Sequence, residues 1–303
     1  MRIALKIDAD TYRGTHEGVP RLLDLLERLD VRATFLFSLG PDHTGRAMRR
    51  AFRRGFLGKV RRTSVLKHYG LKTLLYGTVL PGPHIGRRCR AIMREVARRG
   101  FEVGVHAFDH VKWQDGVATA DAEWTRRELV RARDTFIDVF EHAPLCHGAA
   151  GWQMNRHVPH FERELEFLYA SDTRGAGPFV PVVDGNETAV PQVPTTLPTL
   201  DELIGRPDLQ GSDAVAHLRL LTAAPARDHV FTLHAELEGG LYLASFEELL
   251  RHWRAAGLEL TDLATCVNTL DISRLPRCEI VAGRVSGRSG TLAVQGAALQ
   301  MAT

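Results

Sequence analysis

Nowhere do the 303 residues hold an apolar run approaching the roughly 20 residues of a membrane-spanning helix. Met1-Arg2 leads straight into a strand-like segment with no small-residue cleavage site behind it, so no secretory leader is expected. Cysteine is scarce: there are four, Cys89, Cys146, Cys266 and Cys278, none in CxxC spacing. That argues against a disulfide framework or a cysteine zinc site and points to the reducing cytoplasm. Acid is missing from one long stretch. Of 39 Lys and Arg, fourteen fall between Asp42 and Glu95, where no Asp or Glu occurs, which leaves 25 against 36 acids elsewhere. An otherwise mildly acidic chain thus carries one strongly cationic excursion, which points to an anionic partner surface. No zinc finger, RNP-type strand or helix-turn-helix accompanies it, so nucleic acid is not an expected partner.

What is present is an alternation of short β-prone runs and amphipathic stretches. Strands are expected at residues 3–7, 33–37, 101–105, 144–147, 169–171, 189–193, 229–233 and near 258–260. Helices are expected at 20–29, 84–99, 120–141, 161–167, 212–222 and 245–256. Such alternation predicts an α/β fold, a distorted (β/α) barrel of about seven mostly parallel strands. One domain is expected over 1–272, with a basic amphipathic insertion at about 41–83. Residues 177–185 read as a Pro/Gly-rich loop, and 273–303 as a mobile tail.

The chemistry-bearing residues fall just after strand ends: Asp8, Asp10, His106, His110, Asp172 and His234. A barrel gathers its carboxyl-end loops into one mouth, whereas an open sheet would spread them along a line. Two acids at the end of a buried strand are costly to desolvate unless a cation or a reaction needs them. A single Asp there would cap a turn, and His106-x-x-x-His110 alone is a weak signal in a chain with 14 His. Together, Asp10, His106 and His110 form a donor set suited to one divalent ion such as zinc, cobalt or manganese. Asp8 is then available as a base and His234 as the acid that protonates a departing amine. Asp172, otherwise a turn former before Gly175, could fix an imidazole tautomer. These roles together describe amide hydrolysis.

Asp8-x-Asp10, His106-x-x-x-His110, Asp172 and Leu233-His234 resemble, in order and placement, the motifs of the polysaccharide deacetylases, the NodB-homology or carbohydrate esterase 4 group. The resemblance implies a distorted (β/α) barrel, metal ligation by Asp10, His106 and His110, Asp8 as base and His234 as acid. Residues 7–23, 148–152, 171–175, 194–199 and 233–239 are similar to one branch of that family, a likeness covering roughly 1–270. That branch implies a formamido-arabinose carried on undecaprenyl phosphate as substrate, formate as product, and a place in lipid A modification and polymyxin resistance. Arg13, Trp152, Asp172, Arg174 and Glu236 are the supporting or substrate-contacting candidates, Glu236 for the sugar amine or hydroxyls. The family's third motif carries an Arg that orients the base. Here that stretch is Gly148-Ala-Ala-Gly-Trp152, leaving Arg174 and Arg156 as substitutes. Its fourth motif usually runs on into Trp, and here continues Thr173-Arg174-Gly175.

The cationic excursion fits such a substrate. Arg49, Arg50, Arg53, Arg54, Arg61 and Arg62 are interleaved with Phe52, Phe56 and Leu57. Basic residues at an anionic bilayer contribute about 1 kcal/mol each, and apolar neighbours can enter the interface. The expectation is peripheral attachment at the cytoplasmic face of the inner membrane. Two rival readings are an N-deacetylase of another cell-wall or capsular glycan and a catalytically silent lipid-binding module.

Overall fold

The structure, a computed structural model, describes residues 1–47, 73–204, 209, 213–223 and 227–299. Its centre is β1 (Arg2–Ala9), where successive side chains take opposite sides. Ile3, Leu5, Ile7 and Ala9 enter the main core beneath the helices, whereas Ala4 joins a smaller inner cluster with Leu36, Cys146, Tyr169, Val193 and Val230. Lys6 and Asp8 share the phase of Ala4 and point into that interior.

Around β1 the chain builds an all-parallel sheet from β2 (Thr34–Ser38), β3 (Glu102–Ala107), β4 (Cys146–His147), β5 (Tyr169–Ala170) and β8 (His229–His234), in the order β5-β4-β3-β2-β1-β8. β9 (Glu259–Thr261) pairs with β1 at Arg2–Ala4, while β2 takes Lys6–Ala9. Helices cover the outer face. α1 (Val19–Arg28) buries Val19, Leu22, Leu23, Leu25 and Leu26, with Pro20 in its first turn where no N–H is needed. Each fully buried Leu contributes about 1.5–3 kcal/mol. α2 (Arg90–Arg98), α3 (His110–Gly116), α4 (Ala122–Phe140) and α5 (Val158–Glu164) follow between strands. Asp121 starts α4 by accepting the Trp124 N–H at 2.8 Å. α6 (Leu200–Ile204), α7 (Asp213–Ala223) and α8 (Leu243–Ala255) complete the outer layer.

Between β5 and β8 the ring is closed by an irregular segment. Val193 N–H donates to Ala170 O at 2.7 Å, and the Thr196 and Leu197 N–H groups reach Val230 O at 3.1 and 3.2 Å. A strand was expected at 189–193; the path is right, but there are only isolated bridges. Pro191, Pro194 and Pro198 remove the donors a regular ladder needs.

Two further expectations are corrected. Residues 177–185 are not wholly a loop, since β6 (Val180–Val183) lies within them and pairs with β7 (Asn186–Glu187). Of the mobile tail expected at 273–303, the described residues 273–299 are not without structure. β10 (Arg277–Gly283) and β11 (Leu292–Ala298) form an antiparallel pair, and β10 adds to β6 in parallel. This second sheet docks beside the barrel mouth, with Arg174 N–H on Ala293 O at 3.0 Å and Gln295 N–H on Arg174 O at 2.8 Å. Its low periodicity reflects a small, half-exposed sheet: only Cys278, Leu292 and Ala293 of the hairpin are buried. Arg49, Arg50, Arg53, Arg54, Arg61 and Arg62 lie outside the described residues.

Candidate active site

At the carboxyl end of the sheet, β1 delivers Asp8 and, two residues on and just past its end, Asp10. His106 is the last residue but one of β3, and α3 begins with His110. The Nε2 of His106 stands 3.1 Å from Asp10 Oδ1 and that of His110 3.4 Å from Asp10 Oδ2. One donor atom from each of the three lies within 4.8 Å of the others. His106 Nδ1 is 2.6 Å from Gly148 O, which can only accept, so Nδ1 carries the proton. In the neutral imidazole Nε2 is then a lone pair facing a carboxylate oxygen that is buried without a hydrogen-bond partner. Two acceptors held face to face call for a cation between them, and the donor set fits a divalent ion. Electrostatics agree with ligation. Burial lowers the His110 pKa, favouring its neutral form, and Asp10 is held well below the usual carboxylate range by the two imidazoles despite its burial.

His234, at the end of β8, is the strand neighbour of Asp8. Burial disfavours its charge, yet Asp201 and Asp10 outweigh this and raise its pKa to about 9. Asp201, the second residue of α6, places Oδ1 3.7 Å from His234 Nδ1. Arg288, from the β10–β11 connection, holds Asp201 at 3.1 Å and Glu202 at 3.0 Å. Neither Asp201 nor Arg288 is signalled by a motif. Asp201 is a first-turn acid in a helix of five residues, and Arg288 is one of many arginines in a stretch that reads as a tail.

Trp152 sits at the centre of the mouth in a left-handed backbone conformation (φ 52°), following Gly151 (φ 63°). Its indole N–H reaches Thr195 Oγ1 at 3.1 Å, and its ring lies 6.3 Å from that of His234. Three cations surround that ring: Arg288 at 4.8 Å, Arg174 at 5.1 Å and Lys6 at 5.6 Å from its centroid. Arg174 is committed elsewhere, paired with Glu202 and donating to Leu197 O at 3.0 Å. Arg156 pairs with Asp184 at the exposed surface. Neither touches Asp8, which corrects the expectation that one of them orients it.

Asp172 does bind an imidazole, but that of His147: Oδ1 is 3.1 Å from His147 Nδ1, which also meets Glu162 Oε1 at 2.7 Å. Asp172 further accepts the Ala149 N–H at 2.7 Å and the Gln192 amide at 2.6 Å. This buried cluster fixes the 147–149 segment, and through Gly148 O the ring of His106. Glu236, the sugar-contact candidate, turns Oε1 toward the chain itself, accepting from the Thr11 N–H and hydroxyl at 2.7 Å each. Burial and the nearby Asp10 raise its pKa to about 8. Arg13 pairs with Glu17 at 3.0 Å on the rim.

Residues 2–167 match the family described as polysaccharide deacetylase. A protein of Shewanella sediminis assigned as 4-deoxy-4-formamido-L-arabinose-phosphoundecaprenol deformylase ArnD is 34% identical over 294 residues, spanning 97% of this chain and 94% of its own. One of Wigglesworthia glossinidia brevipalpis with the same assignment is 30% identical over 283 residues, 93% of this chain and 98% of its own. Among solved structures, a candidate polysaccharide deacetylase of Mycobacterium smegmatis matches the fold at a TM-score of 0.65 and 19% identity, over 94% of each chain. With the motif residues gathered at the mouth of a parallel-stranded barrel, the chain belongs to the polysaccharide deacetylase family and is a hydrolase acting on amide bonds.

Proposed function

We propose that the chain hydrolyses the N-formyl group of 4-deoxy-4-formamido-L-arabinose phosphoundecaprenol, giving the aminoarabinose lipid and formate. The observation that carries this reading is the meeting of a buried acid, Asp8, an Asp10–His106–His110 donor set and a cationic His234 in one mouth. The substrate is taken from the names of the two relatives aligned over nearly the whole chain. Asp10, His106 and His110 would hold one divalent ion, which when bound supplies Lewis acidity to a carbonyl oxygen and to water. Asp8 Oδ1, buried without a hydrogen-bond partner, takes the proton of the attacking water. His234, protonated at neutral pH, gives its proton to the departing nitrogen, with Asp201 stabilising the imidazolium. Trp152 walls the site behind His234 and excludes water. Formate leaves and a cationic amine remains, so the reaction changes the charge of the sugar.

The cationic excursion completes the proposal. Among the described residues no helix is long and apolar enough to cross a membrane. A lipid-linked substrate requires approach to a bilayer, and the arginines of 49–62 supply the attraction at its anionic cytoplasmic face. The deciding measurement is formate release from the formamido lipid in detergent, with zinc, cobalt or manganese and after chelation. Metal-dependent formate lost in Asp8→Ala and His234→Ala is the expected result. Acetate from an acetylated glycan, with no formate from the lipid, would overturn the substrate.

A further inference from the structure

Lys6 has no role in the reading above, and its surroundings are unusual. It lies in the middle of β1, 0% exposed, among the largest fully buried side chains. Its ammonium donates to Ser171 O at 2.7 Å and stands 3.8 Å from Asp8 Oδ2. A buried ammonium is costly unless paired, and among the described residues Asp8 is the carboxylate within ion-pair distance. Room for it is made by Gly148: a Cβ there would come within 3.2 Å of Lys6 Cε and Nζ and 2.4 Å of Leu36 Cδ1. Side chains two apart on a strand share a face, so the register of β1 with β2 and β8 locks Lys6 beside Asp8.

We propose that Lys6 is the positioning residue of Asp8, supplying from within the first strand the cation that the 148–152 segment lacks. This rests on the reading of Asp8 as the base. Lys6 holds the Oδ2 side of the carboxylate at 3.8 Å, and Oδ1, buried without a hydrogen-bond partner, then lies 3.9 Å from the ring of His106. The carboxylate thereby keeps one orientation while its other oxygen receives the proton.

The test uses the full chain loaded with zinc and compares Lys6→Met, Lys6→Gln, Asp8→Asn and the double variant Lys6→Met/Asp8→Asn. Lys6→Met should lower kcat for formate release by about 10²-fold or more, a loss on the scale of a misplaced general base. KM and the calorimetric zinc Kd should stay within about threefold, and the double variant should be no slower than Asp8→Asn by more than about threefold, because Lys6 acts through Asp8. A kcat within threefold of wild type, a multiplicative loss in the double variant, or a loss of zinc binding alongside activity would each overturn the inference. So would failure of both Lys6 variants to fold while Asp8→Asn folds, which would assign Lys6 to support of the core alone. Full activity of Asp8→Asn would instead overturn the reading of the base, so the two failures are told apart.

Discussion

Buried charge decides most of what single residues do in this molecule. His147 titrates at about 10 rather than 6.5, burial opposing its charge and Asp172 and Glu162 overriding that opposition. Glu162 is also pushed well above its ordinary 4.5, by burial first and then by Asp172. In the folded chain both groups keep protons that the unfolded chain has released, so both lose stabilising effect as pH rises. The contribution of His147 is complete below about 6.5 and gone above about 10. The melting temperature should therefore fall from about pH 7 to about pH 10, and His147→Gln/Glu162→Gln should show a flatter profile over that range. Equal slopes in thermal melts would refute the assignment. At this scale the sequence was partly legible. Asp8, Asp10, His106, His110 and His234 stand out because acids and imidazoles recur after strand ends. Lys6 does not, because a charge inside a strand reads as the solvent side of an amphipathic one. For Asp172 the sequence offered an imidazole as partner without saying which; in the fold it lies beside His147, which also meets Glu162.

At the scale of elements, strands are placed by close backbone contacts as much as by apolar pattern. Gly18, at the start of α1, lies against the loop after β8, and a Cβ there would meet Ala235 O at 2.0 Å. Ala235 follows His234 directly, so a shift at this contact moves the proposed acid. Gly18→Ala should cost about 1–3 kcal/mol in denaturant unfolding, as overpacking generally does, and reduce turnover. Gly177→Ala, with nothing within 4 Å of its added Cβ, should stay within about 0.5 kcal/mol of wild type. If the two unfold alike, the contact does not position β8. The parallel strands were legible because each is a short apolar run between turn signals. The segment 189–193 was legible in place but not in form, since a ring-closing strand interrupted by prolines has the composition of a strand and only scattered bonds of one. β6, β7, β10 and β11 were missed because a half-exposed sheet needs no continuous apolar face.

Across the described residues, the mouth of the barrel is completed by the second sheet. The β10–β11 pair extends β6, and its backbone bonds to Arg174 on both sides through Ala293 and Gln295. Its connection sends Arg288 to Asp201, which faces His234. Arg288 and His234 both hold Asp201 below the usual carboxylate range against its burial, so the acid, its carboxylate and the arginine form one chain of charge. Ending the chain after Leu275 would remove β10, β11 and Arg288 together. It would also expose the edge of β6 and free Arg174 from two backbone bonds. The barrel strands do not depend on that hairpin for pairing, so the shortened chain should keep its circular dichroism and its zinc affinity while formate release falls by at least about tenfold. Arg288→Gln, which keeps the hairpin and removes only the charge, should lose less, and mainly in kcat, because Asp201 then faces His234 without its outer partner. A shortened chain with undiminished turnover would mean that the mouth works without its last strands. A chain that fails to fold would mean instead that the second sheet belongs to the core of the domain. Retained folding with lost turnover is the outcome the geometry requires, since Arg288 contacts Asp201 and Glu202 beside the proposed acid.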